Sequence, residues 1–216
     1  YASEFGMTEV VEKLIKKSAD VNVQRNDGYT PFIIACMEGN TDIALALLED
    51  DNIKVDLFVT NNSAIYWASK HRMFAVVKKM IEKNANVNVQ DESGNTALMT
   101  ACLYKNADVA LALLERKDIE VDLKDEDGDT ALTIACMYGM LSVVEKLIEK
   151  GADVNKQNMD GMTALTRACR NGHTDIALAL LERTNIEVDL KDKYGNTALL
   201  KASENGMLAV VKKLIE

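Results

Sequence analysis

Two histidines are all the imidazole that this 216-residue chain carries, so a histidine-based acid–base site has almost nothing to draw on. Neither His71 nor His173 has a Cys or Asp at catalytic spacing, and no nucleophile can be assembled with its base. A glycine-rich phosphate cradle is absent. So is any run of about 18 apolar residues that could span a bilayer, and no basic-then-apolar leader opens the chain. Positive charge is short as well: 25 Lys and Arg face 34 Asp and Glu, for a formal net charge of −9. Phosphate binding needs a basic stripe. These absences predict a chain that neither inserts into a membrane nor binds nucleic acid, acts in the cytoplasm, holds no cofactor or metal and is not an enzyme. Tyr1 stands where a start Met would, so the natural start is expected upstream.

What the chain does have is apolar content and a period. Hydrophobic residues make up 48% of it, enough to fill a sizeable core and to exclude a disordered tail. The segments TPFIIAC, SAIYWAS, TALMTAC, TALTIAC, TALTRAC and TALLKAS begin at Thr30, Ser63, Thr96, Thr130, Thr163 and Thr197, at steps of 33, 33, 34, 33 and 34 residues. A fixed period of this length is the signature of a stacked repeat architecture. Two residues before each segment lies Gly28, Asn61, Gly94, Gly128, Gly161 or Gly195, types that accept positive φ in a tight turn. The Thr or Ser then caps a short helix, and Pro31 suits the first helical position, where its missing N–H costs nothing. A second helix follows Gly39, Gly139, Gly172 or Gly206, with Val143, Val144, Leu147 and Ile148 on a single face.

The second halves alternate between two versions. One reads DIALALLE or close to it and ends in VDL, at Asp42–Leu57, Asp108–Leu123 and Asp175–Leu190. The other resembles VVEKLIEK and ends in VN, at Val21–Asn22, Val87–Asn88 and Val154–Asn155. The first version has one extra residue before its final Val, and Asn52, Asp118 or Asn185 is expected to end the helix in the left-handed conformation. Gly151, Asn84 and Ser18 are expected to do so in the second.

The turn glycine, the TALxxA run, Gly172-His173-Thr174 and the GADVN of Gly151–Asn155 resemble the ankyrin repeat over the whole chain. That resemblance implies an all-α solenoid of helix-turn-helix pairs, a right-curving stack with β-hairpin fingers along one edge, as a single array. Its parts are a half repeat over 1–24, repeats over 25–57, 58–90, 91–124, 125–157 and 158–191, and a truncated repeat over 192–216. The chain departs from the family where Ile33, Tyr66, Met99, Thr133, Thr166 and Leu200 replace the usual His. The repeat over 58–90 is the least regular, with Asn61 for Gly, Arg72 for the helix-break Gly and the only Trp, Trp67. Residues 1–16 align with 201–216, so an internal piece of a longer array is expected, with end units that open first and Leu214 and Ile215 partly uncovered.

The implied role is protein–protein interaction as a monomer, through a concave face of inner helices and fingers. The alternatives are a structural spacer or elastic array, and a designed binding scaffold. The contact positions implied are those flanking the turn Gly and those one and two places past the Cys slot. They give Tyr29, Met37, His71, Leu103, Tyr104, Met137, Tyr138, Met159, Met162, Arg170 and Tyr194. Leu103 and Met137 can equally be read as packing between neighbouring first helices. Cys36, Cys102, Cys136 and Cys169 all fall six residues past the Thr, which marks them as buried packing residues and free thiols rather than ligands or disulfides. His173 reads as structural. Asp125, Asp127 and Asp129 read as a solvated turn, since their Gly stands too early for a calcium loop.

Overall fold

The computed structural model describes residues 7–59 and 62–216. The helix expected over residues 1–6 and the turn at Asn61 lie outside the described residues.

Each first helix is seven residues long and begins directly after the predicted cap. These helices are α2 (Pro31–Met37), α4 (Ala64–Lys70), α6 (Ala97–Leu103), α8 (Ala131–Met137), α10 (Ala164–Arg170) and α12 (Ala198–Glu204). The cap hydroxyl accepts the backbone N–H three residues on, that of Ile33, Tyr66, Met99, Thr133, Thr166 or Leu200, at 3.2–3.4 Å. Such a cap contributes about 1 kcal/mol by satisfying a donor that the helix leaves orphaned. The second helices are α1 (Thr8–Lys16), α3 (Thr41–Leu48), α5 (Phe74–Glu82), α7 (Ala107–Leu114), α9 (Leu141–Glu149), α11 (Thr174–Leu181) and α13 (Leu208–Ile215). Helices this short are marginal alone, so their stability comes from packing.

The fingers are mostly tight turns. One carries a strand pair, β1 (Phe58–Val59) antiparallel to β2 (Asn62–Ser63), with Phe58 opposite Ser63 and Val59 opposite Asn62. A single bridge joins Gln90 and Thr96. That turn and the remaining ones close through backbone bonds from Arg25 N to Tyr29 O, Asp91 to Asn95, Asp125 to Asp129, Asn158 to Met162 and Asp192 to Asn196, at 2.9–3.1 Å, and in each the turn Gly N also donates back to the O of the first of these residues.

The chain forms two compact units. The first runs through Ala101 and includes Asp108–Ile119; in it α2 packs on α3 and α4, and α3 on α1 and α5. Its fully enclosed side chains include Phe32, Ile33, Ile43, Leu48, Met80, Leu98, Leu113 and Leu114. The second comprises Cys102–Ala107 and Glu120–Glu216; in it α10 packs on α8, α11 and α12, and α13 on α11 and α12. Leu132, Ile134 and Leu147 are enclosed there. The four cysteines are free and buried. Burial pushes the Cys102 and Cys169 thiols up to about 12.

The alternation of the two repeat versions has a structural reason. Asn22 donates its side-chain amide to Asn52 O at 2.9 Å and accepts Lys54 N at 2.8 Å. Asn155 does the same to Asn185 O at 2.7 Å and Glu187 N at 2.9 Å, and Asn88 donates to Asp118 O at 2.7 Å. The Asn of each VN thus clamps the longer loop of the repeat that follows. The Asp of VDL plays the reciprocal part: Asp56 and Asp122 accept Asn86 N and Asp153 N at 2.8 and 3.1 Å. This corrects one expectation. Asn52, Asp118 and Asn185 are not left-handed; the clamp satisfies their carbonyls instead, and the preceding helices close with shorter-range bonds such as Asp50 N to Leu47 O.

Left-handed backbone does occur at Ser18, Asn84 and Gly151 as expected, and also at Arg72 (φ 56°) and Lys105 (φ 57°) in the slot filled elsewhere by glycine. An L residue there costs roughly 1–2 kcal/mol. Arg72→Gly is therefore expected to stabilise the first unit by about 1 kcal/mol, less a few tenths for the exposed Arg72–Asp108 pair at 3.2 Å. Urea unfolding followed by Trp67 fluorescence measures this, and a loss of stability would show that the pair outweighs the strain.

Candidate functional site

In the first unit the predicted contact residues do not form a continuous apolar face. Tyr29 is half-buried at its turn, with the Arg25 guanidinium 5.4 Å from its ring centroid. Met37 is half-buried at the end of α2. His71 is exposed, stacks on Trp67 at 6.1 Å with 13° between planes, and lies beside Gly39. Trp67 in turn meets Tyr66 edge-on at 5.1 Å and carries the Lys70 ammonium 4.9 Å from its ring. Sequence reasoning placed His71 here but not Trp67, whose indole links the cluster. Its position four residues past the Ser63 cap, shared by Ile34 and Ile134, was the available signal.

The second unit gathers more of the predicted set. Leu103 and Tyr104 end the first helix of one repeat, Met137 and Tyr138 that of the next, and Arg170 the one after. Tyr104 is 49% exposed, while Leu103, Met137 and Tyr138 are half-buried. Lys105 sets its ammonium 5.3 Å from the Tyr138 ring centroid. At the finger tips Met159 and Tyr194 are 76% and 73% exposed. Met162 is different: it is 2% exposed, covered in its own finger, with Arg170 Nη1 3.4 Å from its sulfur. It stands one residue before the cap Thr, where the chain turns inward, and so offers no surface to a partner.

Side-chain chemistry holds these fingers in place. Asp91, Asn158 and Asp192 each accept two backbone N–H groups of their own turn, two and four residues on, at 2.7–3.0 Å, and Asp125 accepts Asp129 N at 2.8 Å. Successive fingers are laced by Met159 N to Asp127 O and Lys193 N to Asp160 O, both 2.8 Å. The Lys193 ammonium reaches Asp160 at 2.6 Å, and that hydrogen bond holds the Asp160 carboxyl below the usual carboxylate range. Burial raises the Asp125 carboxyl instead. Asp91, Asp125, Asn158 and Asp192 are residue types that favour turns, and of these positions Asp125 was legible in the sequence, in a solvated turn with Asp127 and Asp129. Behind the surface, Arg167 and Asp129 form a buried ion pair at 2.7 Å.

His173 is half-buried, with Nε2 3.2 Å from Met137 O and its ring against Gly139. It supports the end of α8 from the adjoining repeat. Among the described residues no group of three or more His, Cys, Asp or Glu is arranged to hold a metal ion, and no helix is long and apolar enough to cross a membrane. At its first-helix ends and finger tips the second unit carries a strip of rings and thioethers, Tyr104, Met137, Tyr138, Met159 and Tyr194, with the cations Lys105 and Arg170 at the same helix ends.

Comparison with known proteins agrees with the repeat fold. A family profile described as ankyrin repeats (3 copies) matches residues 1–91, 65–158 and 153–216. The chain is 29% identical over 115 residues to neurogenic locus notch homolog protein 1 of Xenopus laevis, and 28% identical to its Mus musculus counterpart, in each case across 53% of this chain. It is 32% identical over 154 residues, 69% of the chain, to the nuclear factor NF-kappa-B p105 subunit of Gallus gallus. The matched stretches cover 4–5% of the two notch proteins and 16% of the p105 subunit.

Proposed function

Because the chain belongs to the ankyrin-repeat family, whose arrays serve as protein-interaction modules, we propose that it binds a partner protein through its first helices and fingers, the side that is concave in this family. The observation that carries this reading is Tyr104, a large ring held half in water at the end of its first helix, with the half-buried Tyr138 at the same position of the following repeat. A ring that packs apolar area while keeping a polar tip suits a binding anchor. The surrounding charges form a rim, as at interfaces with an apolar centre. A spacer array gives no reason to keep Tyr104, Met159 and Tyr194 in solvent. Binding is non-covalent in this reading, and the protein acts as a monomer in the cytoplasm, a compartment that four free thiols suit.

With a captured partner, Tyr104→Ala and Tyr138→Ala are each expected to cost about 1–3 kcal/mol of binding. Stability should change little for Tyr104→Ala. Titration calorimetry and thermal unfolding read the two effects separately. Full affinity in a folded double variant would move the partner to the second-helix side, where Phe74 is 41% exposed.

A further inference from the structure

Building on that reading, we propose that the strip of the second unit takes an extended peptide segment in which Asp and Glu alternate with apolar residues. Its carboxylates meet Lys105 and Arg170, and its apolar side chains lie against Tyr104 and Met137.

The argument starts from the slot three residues past the Cys or Ser of each repeat. Gly39, Gly139, Gly172 and Gly206 fill it, all with positive φ, and Arg72 and Lys105 take the same left-handed backbone at a cost that glycine avoids. Arg72 has an evident return, the ion pair with Asp108 at 3.2 Å. Among the described residues, no carboxylate lies within ion-pair distance of Lys105. Its ammonium lies 5.3 Å from the Tyr138 ring centroid instead, a cation fixed in the middle of the strip. Strained backbone retained beside a surface ring points to use of that charge by something outside the chain.

Arg170 supplies the second cation. It is exposed at the end of α10, sets Nη1 against the Met162 sulfur, and is in no ion pair among the described residues; the nearby Asp160 is held by Lys193 at 2.6 Å. At the helix ends Glu204 is engaged by Lys201 at 2.9 Å, and Asp129 by Arg167 at 2.7 Å, whereas Asp125, Glu126 and Asp127 carry their carboxylates on the finger that precedes α8. In a chain of net charge −9, the charges at the first-helix ends of this unit that meet no carboxylate among the described residues are the cations Lys105 and Arg170, and they sit beside exposed aromatic surface. Complementarity then selects an acidic, apolar segment, since cations next to low-dielectric surface attract carboxylates more strongly than cations in open water.

The test uses the full chain and three fluorescein-labelled peptides, followed by anisotropy and by NMR of the tyrosine rings. In the first, Asp and Glu alternate with Leu and Trp; in the others Ser or Lys replaces the acids. The acidic peptide is expected to bind, to perturb Tyr104 and Tyr138, and to outbind the Ser peptide by about tenfold, with the Lys peptide weakest. Lys105→Gly should lower affinity for the acidic peptide roughly fivefold while raising the melting temperature, opposite signs that a purely structural lysine would not produce. The double variant Lys105→Glu, Arg170→Glu should bind the Lys peptide in preference. Unchanged affinity in Lys105→Gly overturns the proposal. So does equal competition by a single-stranded oligonucleotide of the same charge, which would mean undirected attraction of anions. If the Ser or Lys peptide binds best and still perturbs Tyr104 and Tyr138, the acidic class is wrong and the interaction surface stands. If no peptide perturbs the two rings and the partner ignores Tyr104→Ala and Tyr138→Ala, the broader reading fails with it.

Discussion

Gly161→Ala is expected to destabilise the second unit by about 3 kcal/mol, whereas Gly195→Ala, the same change in the same slot of the next repeat, should cost only about 1 kcal/mol. Both glycines take the left-handed conformation, φ 76° and 82°, so the intrinsic penalty for an L side chain is shared. What differs is the neighbour. A Cβ on Gly161 would come within 3.0 Å of Asp192 Cα and 3.1 Å of Lys191 O, backbone atoms of the adjoining finger that cannot rotate away. A Cβ on Gly195 would meet nothing within 4 Å. The excess at Gly161 is therefore the work of separating two fingers laced by the Lys193 N to Asp160 O bond and the Lys193–Asp160 ion pair. Urea unfolding of the two variants side by side decides the matter. Equal costs would mean that the fingers part freely and that their lacing contributes nothing.

A second large effect is expected at the buried pair. Arg167 and Asp129 are 14% and 9% exposed, meet at 2.7 Å, and leave Arg167 Nε and Asp129 Oδ1 buried with no hydrogen-bond partner. Removing one member strands the other charge away from water, so Arg167→Ile should cost about 3–5 kcal/mol. Exchanging both should cost far less, because two desolvation penalties disappear together with the attraction that offset them. The preceding repeat has Ile134 and Asn95 in these slots. The double variant Arg167→Ile, Asp129→Asn copies that arrangement and should recover most of the loss. A double-mutant cycle by chemical denaturation gives the coupling. A cost below about 1 kcal/mol for Arg167→Ile alone would show that water reaches the pair and that it behaves as a surface bridge.

The two cases show how unevenly the structure was legible. The period, the turn glycines and the capping Thr and Ser announced every first helix, because caps and tight turns are local and each residue's own chemistry dictates them. Burial of the cysteines followed from their fixed place in the repeat. The functions of Asn22, Asn88 and Asn155 were not legible, since the groups they clamp lie about 30 residues away in the next repeat. For the same reason Asn52, Asp118 and Asn185 were misread as left-handed helix ends: their residue type permits that conformation, and the clamp from another repeat removes the need for it. Met162 fitted the surface pattern by position but faces inward, because a position flanking a turn does not reveal which way the chain bends there.

By itself the sequence determined the repeat, its family and the polarity of each helix pair, all consequences of interactions within a few residues along the chain. Only the tertiary structure decided which side chains of adjoining repeats meet: the Asn clamps, the Arg167–Asp129 pair, the His173 ring against Gly139, and Lys105 over Tyr138. These contacts depend on the stacking distance and rotation between repeats, and those are set by how the buried side chains of neighbouring helices fit together, a collective property that no local pattern encodes.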